Sequence, residues 1–243
     1  MTIFSGFLGP VALIAAFAAP TARADQQDSA SFDLVLRGIR AGTLSVSGVQ
    51  TGTEYSATGV LKSGGLVALV RKVRYDARVK GTYKNGRFTP KRYDEDADTG
   101  SRQSQSVMEY KSGVPQVKVI SPPKPARPGD VAPHTQGGTV DPLTALYAAL
   151  RDVPKDEACK LAVYMFDGRR RSQVVLKSPK PLSDGGVSCS GEYRRLEGFS
   201  EKEMAEKQRF PFVMTLALTD GDMMQVTEIS MDTLYGKGRL KRR

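Results

Sequence analysis

The 243-residue sequence contains only one histidine, His134, and only two cysteines, Cys159 and Cys189. A catalytic triad needs a histidine base on a rigid element. His134 lies between proline and threonine in a Pro/Gly-rich stretch, so we expect it to be a solvated loop residue. Structural zinc takes four cysteine or histidine ligands, more than these three residues supply. We therefore predict no catalytic residue and no metal site from these residue types.

The motifs that mark common enzyme and nucleotide sites are also missing. The sequence has no G-x-S-x-G, and no G-x-G-x-x-G or Walker pattern follows a predicted strand. Ser121 and Lys124 match S-x-x-K, but the surrounding prolines preclude the helix that this motif requires. The acidic cluster at residues 94–98 lacks the spacing of a calcium loop and is expected to be a solvated turn. The sequence predicts a protein that is not an enzyme and has no cofactor.

The first 24 residues carry the features of a secretory signal peptide. An apolar stretch of about nine residues, 11–19, is too short to cross a bilayer core of roughly 30 Å as a helix. Ala22 and Ala24 form the small-residue pattern that signal peptidase reads, although no lysine or arginine precedes the apolar stretch. We predict cleavage after Ala24 and a periplasmic mature chain without a transmembrane span.

Export determines how the two cysteines are interpreted. An oxidising compartment favours a disulfide bond between Cys159 and Cys189, and the sequence contains no third cysteine to compete. The alternative is a pair of buried, unpaired thiols. The sequence alone leaves both alternatives open.

Alternation of apolar and polar residues predicts strands along most of the mature chain. Asn85-Gly86, Asp167-Gly168 and Asp220-Gly221 are typical hairpin turns, and Ala41-Gly42 is predicted to be another turn. The continuous apolar run 66–70 is compatible with a buried strand or with one or two helical turns. Periodicity does not distinguish the two.

One amphipathic helix is predicted after residue 140. Asp141 can cap it, and Pro142 suits its first turn. Its apolar stripe and an apolar strand in the C-terminal half are predicted either to line a cleft or to fill a solid core. These residues are Leu143, Leu146, Tyr147, Leu150, Phe212, Met214 and Leu216.

Together these patterns predict an all-β protein, either an antiparallel β-barrel or a strongly curved half-barrel sheet, with the helix packed against it. The N-terminal β half spans 25–120, a Pro/Gly-rich loop spans 121–138, and the helix with the C-terminal β half spans 139–243. We interpret 25–243 as one continuous domain.

Basic residues are in excess throughout the chain. The formal net charge is +10 and becomes +9 once Arg23, the only charged residue of the predicted signal peptide, is removed. This positive charge either keeps the strands solvated or attracts anionic envelope components. Nucleic acid is not expected as a partner, because no aromatic platform is interleaved with the basic clusters. The candidate anion-contacting residues are Arg169, Arg170, Arg171, Arg194 and Arg195.

Three segments resemble an exported family of unknown function, the domain-of-unknown-function family numbered 3108. They are the sequence from Phe32 to Gly42, the segment 141–146 and the segment 164–169, in addition to the signal segment. The resemblance implies an exported all-β fold, similar in outline to half-barrel lipoprotein carriers, and implies no catalytic residue.

We therefore expect a non-catalytic periplasmic binding or envelope-maintenance protein, with lipid or another envelope component as a partner. The alternative is a structural or interaction module that contacts anionic lipid, lipopolysaccharide or cell wall through its basic surface. The ligand and the oligomeric state do not follow from the sequence.

Overall fold

A computed structural model describes residues 25–65, 68, 72–123, 125, 127 and 129–243. The predicted signal peptide and most of the apolar run 66–70 lie outside these residues. The described strands are β1 Gln26–Leu36, β2 Ile39–Thr51, β3 Glu54–Ser63, β4 Arg74–Lys84, β5 Arg87–Asp98, β6 Gln103–Lys111, β7 Val114–Ser121, β8 Val153–Pro154, β9 Leu161–Phe166, β10 Arg171–Pro181, β11 Val187–Glu197, β12 Arg209–Leu218, β13 Met223–Thr233 and β14 Gly236–Arg242. The helices are α1 Pro142–Leu150 and α2 Glu201–Glu206.

The described strands form one antiparallel sheet of 14 strands. Neighbours in the sheet follow the chain from β7 back to β1 and then from β14 back to β9, while the short β8 pairs with β13. The first and last strands join the two halves, with Phe32 opposite Arg242 and Leu36 opposite Gly238. One continuous sheet therefore includes both the N-terminal and the C-terminal β halves.

The sheet is not closed, because the described parts of β7 and β9 form its two edges. Residues 138–140, just before α1, bridge this gap. Gly138 donates from its backbone N–H to the carbonyl of Gly113 in the β6–β7 turn at 3.0 Å, and the N–H of Val140 donates to the carbonyl of Tyr164 on β9 at 2.9 Å. Of the two predicted architectures, the fully closed barrel is wrong.

Helix α1 begins where the sequence predicts. The Asp141 side chain accepts a hydrogen bond from the backbone N–H of Thr144 at 2.9 Å, and Pro142 occupies the first turn. The helix contacts strands β2 to β5 on one side and β9 on the other. Since these strands lie far apart in the sheet order, the sheet bends around the helix and the core lies between them.

A buried polar network fixes the C-terminal part of α1 to the start of β1. Tyr147 donates from its hydroxyl to an oxygen of Asp28 at 2.7 Å and accepts from the Gln50 amide at 3.2 Å. The second oxygen of Asp28 accepts from the backbone N–H of Asp152 at 3.0 Å. These hydrogen bonds offset the cost of burying Asp28 and define the position of the helix.

Several local predictions differ from the structure. The first turn lies at Arg37-Gly38, both with positive φ, and Gly42 lies inside β2. A Cβ on Gly42 would lie 2.2 Å from the carbonyl oxygen of Lys62, so this glycine permits close strand approach and does not form a turn. The acidic residues 94–98 belong to strand β5. Helix α2 was not predicted, although Ser200 and Glu203 form a capping box at its start.

His134 lies exposed in a 3-10 turn, Pro133–Thr135. No helix within the described ranges combines the length and apolar character needed to span a membrane.

Candidate functional site

A cleft of about 630 Å³ opens between the C-terminal half of α1, edge strand β9 and the β4–β5 turn. The segment that crosses the gap between the sheet edges contributes Gly138 and Val140 to its wall. The cleft therefore lies beside edge strand β9, next to the residues that join the two edges of the sheet.

Alternation along β12 directs apolar side chains toward this cleft. Met214 and Leu216 on β12 are almost fully buried and line it, whereas Val213, next to Met214 in the strand, is exposed. Leu161 and Val163 on β9 also line it. The apolar residues come from strands distant in sequence that the bent sheet brings together.

The other predicted cleft or core residues lie elsewhere. Leu143, Tyr147, Leu150 and Phe212 are buried in the hydrophobic core, and Leu146 is half-buried against it. The helix instead presents a different face to the cleft, through two small residues, Ala148 and Ala149. The small side chains on this face leave the cleft open. The larger side chains of the apolar stripe, on the other face, fill the space between the helix and the sheet.

Arg151 is a deeply buried charged group of the cleft wall, with 6% of its side chain exposed. It follows α1 directly, and its backbone N–H donates to the carbonyl of Tyr147 at 2.9 Å. Its Nη2 donates to the Tyr83 hydroxyl and to Glu157, each at 3.0 Å, and its guanidinium carbon lies 5.2 Å from the centre of the Tyr83 ring. Its Nε, also buried, has no hydrogen-bond partner among the described residues.

The charged residues that line the cleft are mainly basic. Arg87 and Lys160 join Arg151 in the lining, and Glu157 is the one acidic residue in the part of the lining that the structure describes. Since Glu157 already pairs with Arg151, this lining carries an excess of positive charge. Such an electrostatic environment favours an anionic group in or at the mouth of the cleft.

A disulfide bond fixes one wall of the cleft. Cys159 and Cys189 are bonded, with their Cα atoms 5.3 Å apart, so the predicted pairing is confirmed and the alternative of free thiols is wrong. Cys159 lines the cleft, while Cys189 is fully buried on β11. The bond ties the segment that carries Glu157 and Lys160 to the sheet.

A second polar cluster surrounds the start of α1. Asp141 is fully buried, and its Oδ2 accepts from the Thr144 hydroxyl at 2.6 Å, which is itself 2.7 Å from the Tyr55 hydroxyl. Removal from water raises the pKa of Asp141 to about 6, although the hydrogen bonds from Thr144 act in the opposite direction. The cluster anchors the helix to β3 through side chains that are already paired with one another.

The first two predicted anion-contacting residues have internal partners. Arg169 donates from Nε to Asp130 at 3.0 Å, and Arg170 pairs with Glu203 at 3.0 Å. Both line a polar cavity of about 660 Å³ at the opposite end of β9 from the cleft. These two guanidinium groups thus pair with Asp130, which precedes α1, and with Glu203 of α2.

The remaining three differ in their contacts, and the buried Nε of Arg171 has no hydrogen-bond partner among the described residues. Arg171 lies 3.9 Å from Glu197, and Arg195 donates to the backbone carbonyl of Lys207 at 2.9 Å. Arg194 lies half-buried beside Arg195 on β11. The structure thus does not gather the five predicted arginines into one open anion-binding surface.

Sequence reasoning missed Arg151, Arg87 and Lys160. Arg151 lies immediately after the apolar stripe of α1. An arginine at that position can interact favourably with the C-terminal end of the helix while its guanidinium group stays within the fold. This position was the one local signal for a buried cation. Nothing local connects it with residues 87 and 160.

The fold and the cleft define an all-β protein with an open antiparallel sheet wrapped around a central helix. The family described as "Protein of unknown function (DUF3108)" matches residues 31–180, and the chain belongs to this family. The resemblance seen in the sequence is therefore confirmed.

Among solved structures, the chain is similar to a β-barrel-like protein of the domain of unknown function DUF1849 from Brucella abortus, with 12% identity and a TM-score of 0.48. The similarity covers 88% of this chain and 94% of that chain. No curated protein matches the sequence.

Proposed function

We propose that this protein is a non-catalytic periplasmic binding protein whose cleft holds a small, largely apolar ligand. The observation that carries the proposal is the cleft of about 630 Å³, a volume inside the roughly 300–1,000 Å³ typical of small-molecule sites. Its mixture of apolar walls with a few polar groups is also typical of such sites. Binding or carriage of an envelope component is the corresponding biological role.

The location is part of the proposal. The predicted signal peptide directs the chain to the periplasm, and the Cys159–Cys189 bond is compatible with an oxidising compartment. A protein in this compartment meets lipids and lipid precursors in transit between membranes. Such molecules have the apolar character that the cleft walls favour.

The first experiment analyses the protein as it is made in its own cell envelope. Native mass spectrometry, followed by organic extraction and lipid mass spectrometry, should reveal a bound molecule that denaturation releases. Binding of an environment-sensitive apolar fluorophore to the extracted protein provides a second measurement. A protein that is empty after purification and does not bind the fluorophore contradicts the proposal.

A cavity-filling variant tests whether the cleft is the binding site. Ala149 is half-buried on α1 and lines the cleft, so Ala149→Phe should fill it and weaken fluorophore binding about tenfold or more, corresponding to about 1.4 kcal/mol. Ala217→Phe is the matched control because Ala217 alternates with inward-facing Leu216 on β12. Equal binding by both variants would place the ligand outside the cleft.

A second candidate function, contact with an anionic membrane surface, is favoured by one feature of the surface. Ile39, the first residue of β2 after the β1–β2 turn, and Leu234 and Tyr235, in the β13–β14 turn, expose 51%, 36% and 70% of their area at the end of the strands opposite the cleft. Arg37 joins the turns by donating to the carbonyls of Tyr235 at 2.6 Å and Lys237 at 2.9 Å. We call Arg37, Ile39, Leu234, Tyr235 and Lys237 the turn tip. Apolar side chains beside basic ones favour insertion at an anionic lipid interface. Sedimentation of the protein with anionic lipid vesicles tests this second function.

A further inference from the structure

We propose that the ligand of the cleft is an amphiphile with one flexible apolar chain and an anionic carboxylate or phosphate head, and that the head binds at Arg151. This inference rests on the proposed function and specifies its ligand class. It follows from the juxtaposition of an incompletely paired buried cation with apolar walls in one cavity.

The hydrogen bonding of Arg151 is the first step of the argument. Glu157 and the Tyr83 hydroxyl take up Nη2, and the carbonyl of Asp152 accepts from Nη1 at 3.3 Å. The buried Nε keeps an N–H that has no acceptor within the described part of the chain. Burying a charged donor without an acceptor is unfavourable, so the described residues do not fully compensate this guanidinium group in the cleft wall.

The charges around the cleft favour an anionic ligand group as an acceptor for this guanidinium. Arg87 and Lys160 are exposed at the cleft, and a Cβ on Gly138 would lie 3.0 Å from Nη2 of Arg87, which places that guanidinium against the cleft wall. With Glu157 paired to Arg151, these two basic side chains lack an acidic counterpart among the described lining residues. An anionic head compensates this excess, whereas a neutral or cationic head does not.

The walls exclude a purely polar anion as the preferred ligand. Leu161 and Val163, both half-buried on β9, offer no donors from their side chains, and an inorganic anion would leave their apolar surface uncovered. An apolar chain covers it, and each methylene group that becomes buried should tighten binding about fourfold. A chain-length dependence of affinity is therefore a direct consequence of the proposal.

The experiment uses the mature, delipidated protein and four probes: dodecanoate, dodecanol, a lysophosphatidic acid with a 12-carbon chain, and inorganic phosphate. Displacement of the apolar fluorophore and calorimetry measure affinity. Dodecanoate and the lysophosphatidic acid should bind about tenfold or more tightly than dodecanol, the factor that one charge-assisted hydrogen bond provides. Decanoate should bind more weakly than dodecanoate, and phosphate alone should not bind measurably.

Substitutions test whether Arg151 and Lys160 cause the preference for a ligand with an anionic head. Arg151→Met should remove the preference for dodecanoate over dodecanol while dodecanol still binds. Because Arg151 also pairs with Glu157 inside the fold, Lys160→Gln, at an exposed position, provides a variant that keeps the core intact and should reduce the preference severalfold. Lys177→Gln, exposed on β10 outside the cleft, is the matched control and should leave it unchanged.

The outcomes separate this inference from the function on which it rests. Equal affinity for dodecanoate and dodecanol, with the binding of both weakened by Ala149→Phe, would overturn the anionic head and leave the binding function in place. Tight binding of inorganic phosphate without a chain would also overturn the inference. Failure of every chain-bearing probe and of the fluorophore to bind would contradict the proposed function itself.

Discussion

The stability of this protein should depend on pH through Asp141, because its carboxyl is fully buried at the start of α1. Burial raises its pKa from 3.8 to about 6. In the unfolded chain the group is exposed and returns to its ordinary pKa. Between these two values the native state therefore holds a proton that the unfolded state has lost.

The sign follows from the proton count. Because the native pKa lies above the unfolded one, the contribution of Asp141 is fully present below about pH 3.8 and is lost as pH rises through about 6. A difference of about two pKa units corresponds to about 3 kcal/mol between the two limits. In an Asp141→Asn variant the side-chain amide oxygen can still accept from the Thr144 N–H, but the side chain does not titrate.

The assay is urea unfolding of the wild type and Asp141→Asn at half-unit steps from about pH 3.5 to about pH 7.5. The free energy of unfolding of the wild type relative to the variant should fall by about 3 kcal/mol across this range, with the steepest change between about pH 4 and 6. Exposed Asp220→Asn is the control and should give a curve parallel to the wild type. Parallel curves for the wild type and Asp141→Asn, or a difference that grows with pH, would refute the reasoning.

Two further predictions concern the disulfide bond and the turn tip. The Cys159–Cys189 bond joins partners that are 30 residues apart, and its reduction should lower the free energy of unfolding by about 3–4 kcal/mol on the chain-entropy estimate. Urea unfolding of the oxidised and the reduced wild-type protein measures this loss. A loss below about 1 kcal/mol would contradict the prediction. Leu234→Ser combined with Tyr235→Ser should weaken sedimentation with anionic vesicles without affecting fluorophore binding in the cleft, since the two sites lie at opposite ends of the strands. If the double variant still sediments fully with the vesicles and this binding does not weaken with added salt, the turn tip is not the site of membrane contact.

Local sequence patterns were sufficient to predict many elements of the fold. Asn85-Gly86 forms the β4–β5 turn, with positive φ at both residues, as its composition requires. Asp141 caps α1 through a hydrogen bond that depends only on residues within one helical turn. The alternation of Met214 and Leu216 with outward residues on β12 likewise shows which side chains are buried. Each of these features is decided by neighbours in sequence.

Features that depend on distant segments were misplaced or missed. Gly42 looks like a turn residue, and only the approach of the Lys62 carbonyl shows why a strand needs glycine there. The predicted anion-contacting Arg169 and Arg170 are occupied by Asp130 and Glu203, which lie 39 and 33 positions away in the chain. Charge clusters in the sequence do not reveal which charges are already neutralised.

The sequence alone thus determined most of the strands, the central helix and the family, and it favoured the cysteine pair, because hydrogen-bonding turns, caps and periodic burial are short-range effects. The tertiary structure decided that the sheet stays open and that a cleft forms between edge strand β9, helix α1 and the β4–β5 turn. It also placed Arg151 there, between Tyr83 of β4 and the segment held by Cys159, with one donor that no described residue satisfies. Such a site arises from the bending of a long sheet around a helix, and that bending is the sum of many contacts between residues far apart in the chain.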